Sequence, residues 1–106
     1  MDLGEEINKL TLNFPSKEMY NLSSQMRKSA DWVALNIAEG SSAASDAEQV
    51  RFLNVTIRWC HQVVCCLHKA KLRGYLADEN FLQLYAALEK LCARIQAFRN
   101  KLRLAM

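Results

Sequence analysis

Three side chains able to bind soft metals stand close together: His61, Cys65 and His68, spaced four and three apart. On a helix that spacing puts two imidazoles and a thiol on one face, a donor set suited to zinc or copper. A closed site needs a donor from a second element, and the obvious one, Cys92, belongs to a different apolar stretch. Cysteine in such stretches is commonly a small packed residue, so no metal is expected. Glu39 and Glu48, on either side of residues 41–45, could be taken for an acid–base pair. Each has a local task instead. Glu48 completes a capping box with Ser45, and Glu39, in the last turn of a helix, calls for a cation such as Arg51 or one from an adjacent subunit. No glycine-rich phosphate loop, GxSxG elbow or HExxH pair is present. Neither an enzyme nor a cofactor is indicated.

Charge carries more information. Residues 1–48 hold four basic and eight acidic side chains, whereas residues 49–106 hold ten basic and three acidic. After Glu89 there is no acid, while Lys90, Arg94, Arg99, Lys101 and Arg103 follow. This asymmetry points to an acidic partner, commonly nucleic acid, or to a basic half that complements an acidic half in an oligomer. Lys90, Arg94 and Lys101 share a helix face and could track phosphates. Lys69, Lys71 and Arg73 are accounted for by the helix end they occupy. No RNP-type aromatic motif or recognition helix appears, so binding should be weakly sequence-specific.

The elements that position these residues are helices. With 51% hydrophobic residues, three glycines and one proline in 106 residues, the chain has few breakers and reads as one domain over residues 1–106. The four cysteines lie inside apolar helical patterns. There is no secretory signal and no apolar run near about 18 residues, which predicts a cytoplasmic protein with reduced thiols and no membrane partner. Leu3, Ile7, Leu10 and Phe14 form a short first stripe that Pro15 terminates. Its dozen residues make only about 18 Å of helix. Either that helix leaves part of the fold uncovered or the chain begins inside a longer reading frame.

A second helix is expected from a Ser16 cap to Gly40, where glycine suits a left-handed ending. Its stripe is Met19, Leu22, Met26, Ala30, Val33 and Ile37, with Glu18, Gln25, Trp32 and Glu39 at strict sevens beside it. Those polar residues look like contacts to something definite, and Asn36 is expected to bond the backbone of the following loop. The third helix runs from Asp46 to about Arg73 behind the Ser45 box, with a seam of Val50, Leu53, Ile57, Cys60, Val64 and Leu67. It carries a second apolar line: Phe52, Val55, Trp59, Val63, Cys66 and Ala70. So wide an apolar sector predicts burial on two sides, hence self-association through Trp32, Phe52, Val55, Trp59, Val63 and Cys66. Gly74 closes this helix, Asp78 caps the fourth, and Phe81, Leu84, Leu88, Leu91, Ile95, Phe98 and Leu102 form its seam. The fold class is all-α, an antiparallel up-down-up-down four-helix bundle with a short first helix.

Phe14-Pro15, Glu18, Tyr20, Leu22, Gln25, Arg27-Lys28 and Asn36-Ile37-Ala38-Glu39-Gly40 together resemble a bacterial four-helix-bundle family, the proteins of intervening sequences in large-subunit ribosomal RNA. The resemblance is gap-free over these 27 residues and continues more loosely through Arg51-Phe52-Leu53 to Gly74-Tyr75-Leu76. The chain departs from the family at Trp32-Val33-Ala34, where Ser-Ile-Pro is usual. It departs again at Arg58-Trp59 and Gln62, and the family usually has about ten residues ahead of the equivalent of Met1. The resemblance implies a ring-shaped homo-oligomer, typically a pentamer, with Gln25, Arg27, Asn36, Glu39 and Gly40 as the family-motif residues. It also implies similarity to accessory bundles of retroelement reverse transcriptases, which engage RNA and protein through a basic ring. The expected function is a non-catalytic assembly module that binds RNA or another polyanion through Lys90, Arg94, Arg99, Lys101 and Arg103. The alternatives are a protein adaptor without nucleic acid and, third, a metal or thiol sensor built on His61, Cys65 and His68.

Overall fold

The structure, a computed structural model, describes residues 2–106. Helix α1 spans Leu3–Thr11, a single 3-10 turn covers Ser16–Glu18, and α2 (Leu22–Ser41), α3 (Asp46–Leu72) and α4 (Asp78–Ala105) follow. No strand occurs among the described residues. Each helix runs antiparallel to the one before it. Gly4 lies beside Asp31 and Gly40 beside Phe52. Farther along, His68 meets Phe81 and Asn54 meets Arg99. Together they form the four-helix bundle.

Local signals set most boundaries. Asp2 caps α1 by accepting the Glu5 N–H at 3.2 Å, with Glu5 and Glu6 in the positive first turn. Ser45 accepts the Glu48 N–H at 3.2 Å, while Glu48 reaches back to the Ala44 N–H, one residue earlier than a standard box. Gly74, at φ 76°, ends α3 as expected. The Gly74 N–H bonds Lys71 C=O and the Tyr75 N–H bonds Ala70 C=O, which closes the helix in a Schellman turn. At the start of α4, Ala77 takes the cap position without a side-chain bond, and Asp78 is the first helical residue.

Gly40 corrects the expected end of α2. The helix continues through it to Ser41 without a left-handed residue, and Gly40 is buried. A Cβ there would stand 3.1 Å from the Phe52 Cβ, so the glycine serves the close approach of α2 to α3.

The helices bury one core, including Ile7, Leu22, Met26, Leu67, Leu88 and Val63. α2 and α3 are the central pair; α1 packs on α2, and α4 packs on α3. No Cα atoms of α1 and α4 come within 8 Å of each other. Between them lies a cleft of about 360 Å³ lined by Glu6, Leu10, Leu84 and Ala87, among others. Nine residues of α1 give about 14 Å of helix, against about 42 Å for the 28 of α4. Half of the bundle therefore has three helices, and Phe98, expected in the seam, is 45% exposed there.

The second apolar line of α3 also needs correction. Val63, Cys66 and Ala70 are wholly buried within the chain, so Val63 and Cys66 are core residues and cannot be interface residues. As the middle helix, α3 packs on α2 along one side and on α4 along the other, which accounts for its wide apolar sector. Only Phe52, Val55 and Trp59 remain partly exposed.

Candidate functional site

The end of the molecule that holds the two hairpin turns is locked by a carboxylate. Glu18 is 4% exposed. Its carboxylate accepts from Tyr75 Oη at 2.7 Å, Arg73 Nη1 at 2.7 Å and Asn21 Nδ2 at 3.1 Å. The Tyr75 hydrogen bond, followed by the Arg73 guanidinium, holds the Glu18 carboxyl below the usual carboxylate range. That bond in turn pushes the Tyr75 phenol up. This network corrects the expected start of α2. Ser16 begins a separate 3-10 turn that aims Glu18 at the α3–α4 connection, and the helix resumes at Leu22. Met19 is consequently 48% exposed and lies outside the core stripe; Ile37, at 40%, also lies outside it.

The other family-motif residues do mostly local work. Asn36 is buried and its Nδ2 donates to the Trp32 C=O at 2.7 Å, one turn back in α2 and not in the following loop. Gln25 is exposed, and its C=O accepts from Ser29 Oγ at 2.8 Å. Arg27 is half-buried beside Asn8 and Asp31. Glu39 is exposed and does not pair with Arg51, one of the two partners expected for it; the ion pair among the described residues is Arg73–Glu18.

The candidate metal ligands are not gathered. His61, Cys65 and His68 are exposed. The His68 ring packs 5.1 Å from that of Phe81 and 5.8 Å from that of Tyr85. No group of three His, Cys, Asp or Glu among the described residues could hold an ion. Cys92 is buried beside Cys60; it shares an α3–α4 cavity with His61 and Glu89, but Cys65 and His68 do not line that cavity. Burial, and then the neighbouring Cys92, push the Cys60 thiol up to about 12. Burial likewise raises Cys66 and Cys92, so all three are unreactive packing thiols.

Two surfaces remain. On the outer side of the α2–α3 pair, the rings of Trp32 and Trp59 stack with centroids 5.9 Å apart and 15° between planes. Trp32 is 39% and Leu35 46% exposed. Val55, Arg58, Trp59 and Gln62 line a depression of about 290 Å³ alongside.

The second surface is basic. Lys90, Arg94, Lys101 and Arg103 are exposed on α4. Arg99 is half-buried and tied down: its Nη1 donates to Asn54 Oδ1 of α3 at 3.1 Å, and its Nε donates to Asn100 Oδ1 at 3.3 Å. Arg51 and Arg58, also exposed, stand on α3 on either side of Asn54. Sequence reasoning confined the basic surface to α4 and missed these two. The signal was available in the absence of acids from residues 49–60, but their nearness to Arg99 depends on the α3–α4 register.

The sequence pattern of the 23S rRNA-intervening sequence protein family matches residues 1–97. The chain belongs to that family. The 23S rRNA-intervening sequence proteins are not a known enzyme family, and the family's name associates it with ribosomal RNA. No curated protein is similar enough to be matched. Among the described residues, no helix is long and apolar enough to cross a membrane.

Proposed function

We propose that this member of the family is a non-catalytic, cytoplasmic, homo-oligomeric module that engages RNA or another polyanion through its basic half. One observation carries the reading. Residues 49–60 and 90–106 hold seven cations and no acid, and none of the seven pairs with a carboxylate among the described residues. Surface cations offset internally would have little charge to offer a partner; these keep theirs. Self-association runs through Trp32, Phe52, Val55 and Trp59, where two large rings lie partly exposed beside each other. Five is the subunit number proposed, in line with what the family resemblance implies.

The tryptophan face also supports the second reading, a protein adaptor that binds no nucleic acid. One experiment separates them. Fluorescence anisotropy with a labelled RNA hairpin at low salt should show binding, and sedimentation should show an oligomer. An oligomer without RNA binding would favour the adaptor.

A further inference from the structure

The polyanion reading leaves open which face of the basic half meets the ligand, and the α3–α4 seam supplies an answer that rests on that reading. Arg99 of α4 donates to Asn54 of α3 at 3.1 Å. Arg51 lies three residues before Asn54 and Arg58 four residues after it, so both share its side of α3. On α4 the same offsets from Arg99 select Gln96 and Arg103. The helices are antiparallel in the register that Asn54–Arg99 and His68–Tyr85 set. This brings Arg51 level with the Arg103 end and Arg58 level with the Gln96 end. Three arginines, Arg51, Arg58 and Arg103, thus flank the interhelical hydrogen bond that a fourth, Arg99, donates.

We propose that this four-arginine seam, Arg51, Arg58, Arg99 and Arg103, is the phosphate-binding surface, and that it grips the sugar–phosphate backbone of RNA. Arginine's planar fork suits bidentate phosphate contacts, and Asn54 and Asn100 orient one such fork in advance. The nearest acids along the two helices are Glu48, whose Oε2 is engaged by the Ala44 N–H, and Glu89, ten residues before Arg99. Trp59, which lines a depression with Arg58, is already stacked on Trp32, so recognition is of the backbone and not by base stacking. Lys90, Arg94 and Lys101, by contrast, project from the far side of α4. The stripe that sequence periodicity selects is therefore secondary to one that only the register reveals.

The test compares two charge-matched variants of the full chain against a labelled RNA hairpin across a salt series. One is Arg51→Ala, Arg58→Ala, Arg103→Ala; the other is Lys90→Ala, Arg94→Ala, Lys101→Ala. Both remove three exposed cations, and circular dichroism with sedimentation checks that fold and assembly match the parent. The seam variant should bind roughly tenfold or more weakly at about 50 mM salt, and its log–log salt slope should be shallower by about two to three. The α4 variant should lose less than about one unit of slope. An equal or larger loss in the α4 variant would overturn the seam assignment alone. Absence of RNA binding by the parent would overturn it together with the polyanion reading.

Discussion

The two ends of this bundle treat charge in opposite ways. At the end where the α1–α2 and α3–α4 connections meet, Glu18 is buried and bonded by Tyr75, Arg73 and Asn21. At the other end, α3 and α4 present arginines and lysines that face no carboxylate among the described residues, and α1 does not reach to cover Phe98. The first end satisfies its polar groups within the chain, as folding demands. The second holds a run of cations with no carboxylate partner among the described residues and no acid along the chain after Glu89. That arrangement adds nothing to the packing of the chain and suits the polyanion surface proposed above. The comparison therefore separates residues that hold the fold from residues that the proposed partner would meet.

The largest expected effect sharpens the contrast in packing. Leu22 is 1% exposed near the locked end, so Leu22→Ala should cost about 2–5 kcal/mol in denaturant unfolding. Phe98→Ala, at the open end, should cost clearly less if nothing in the oligomer covers that ring. An equal cost would mean that Phe98 is packed in the assembly.

Acid should act at the locked end next. The folded-state pKa of Glu18 lies below its unfolded value, so its contribution to stability is fully present above the usual carboxylate range. It is lost as pH falls through the folded pKa. Glu18→Gln should destabilise the protein at neutral pH and show a smaller further loss as pH falls through that window. Thermal melts of both proteins across the window would check the sign. Identical pH profiles would remove Glu18 from its place in the lock.

The tryptophan face gives the third test. Trp59→Glu puts a charge beside the Trp32 ring and should dissociate the oligomer in sedimentation while leaving the helices formed. An unchanged oligomer would move the interface elsewhere. The smallest effect belongs to the basic end. Lys90→Glu, Arg94→Glu and Lys101→Glu should each change stability by under about 1 kcal/mol, since these are exposed surface charges.

What was legible in the sequence follows the range of the interaction concerned. The limits of α3 rest on the Ser45 capping box and the Gly74 turn, both local, and both were readable. Asn36 was misread because its amide turns back to its own helix, a choice between two nearby acceptors that residue type does not decide. The start of α2 was misplaced because Glu18 is drawn to Arg73 and Tyr75, more than fifty residues away. Val63 and Cys66 looked like interface residues because a periodic pattern shows how much of a helix is buried and not by what. Arg51 and Arg58 were missed for the same reason: only the α3–α4 register places them beside Arg99.

If the cations of the open end serve a polyanion, the salt dependence of RNA binding by the parent protein will show it. With about four phosphate contacts, a rise from about 50 to about 200 mM salt should weaken binding by about a hundredfold, because releasing counterions into more concentrated salt gains less entropy. Binding that barely changes over that range would contradict the claim and would mean that the partner is held by apolar contact.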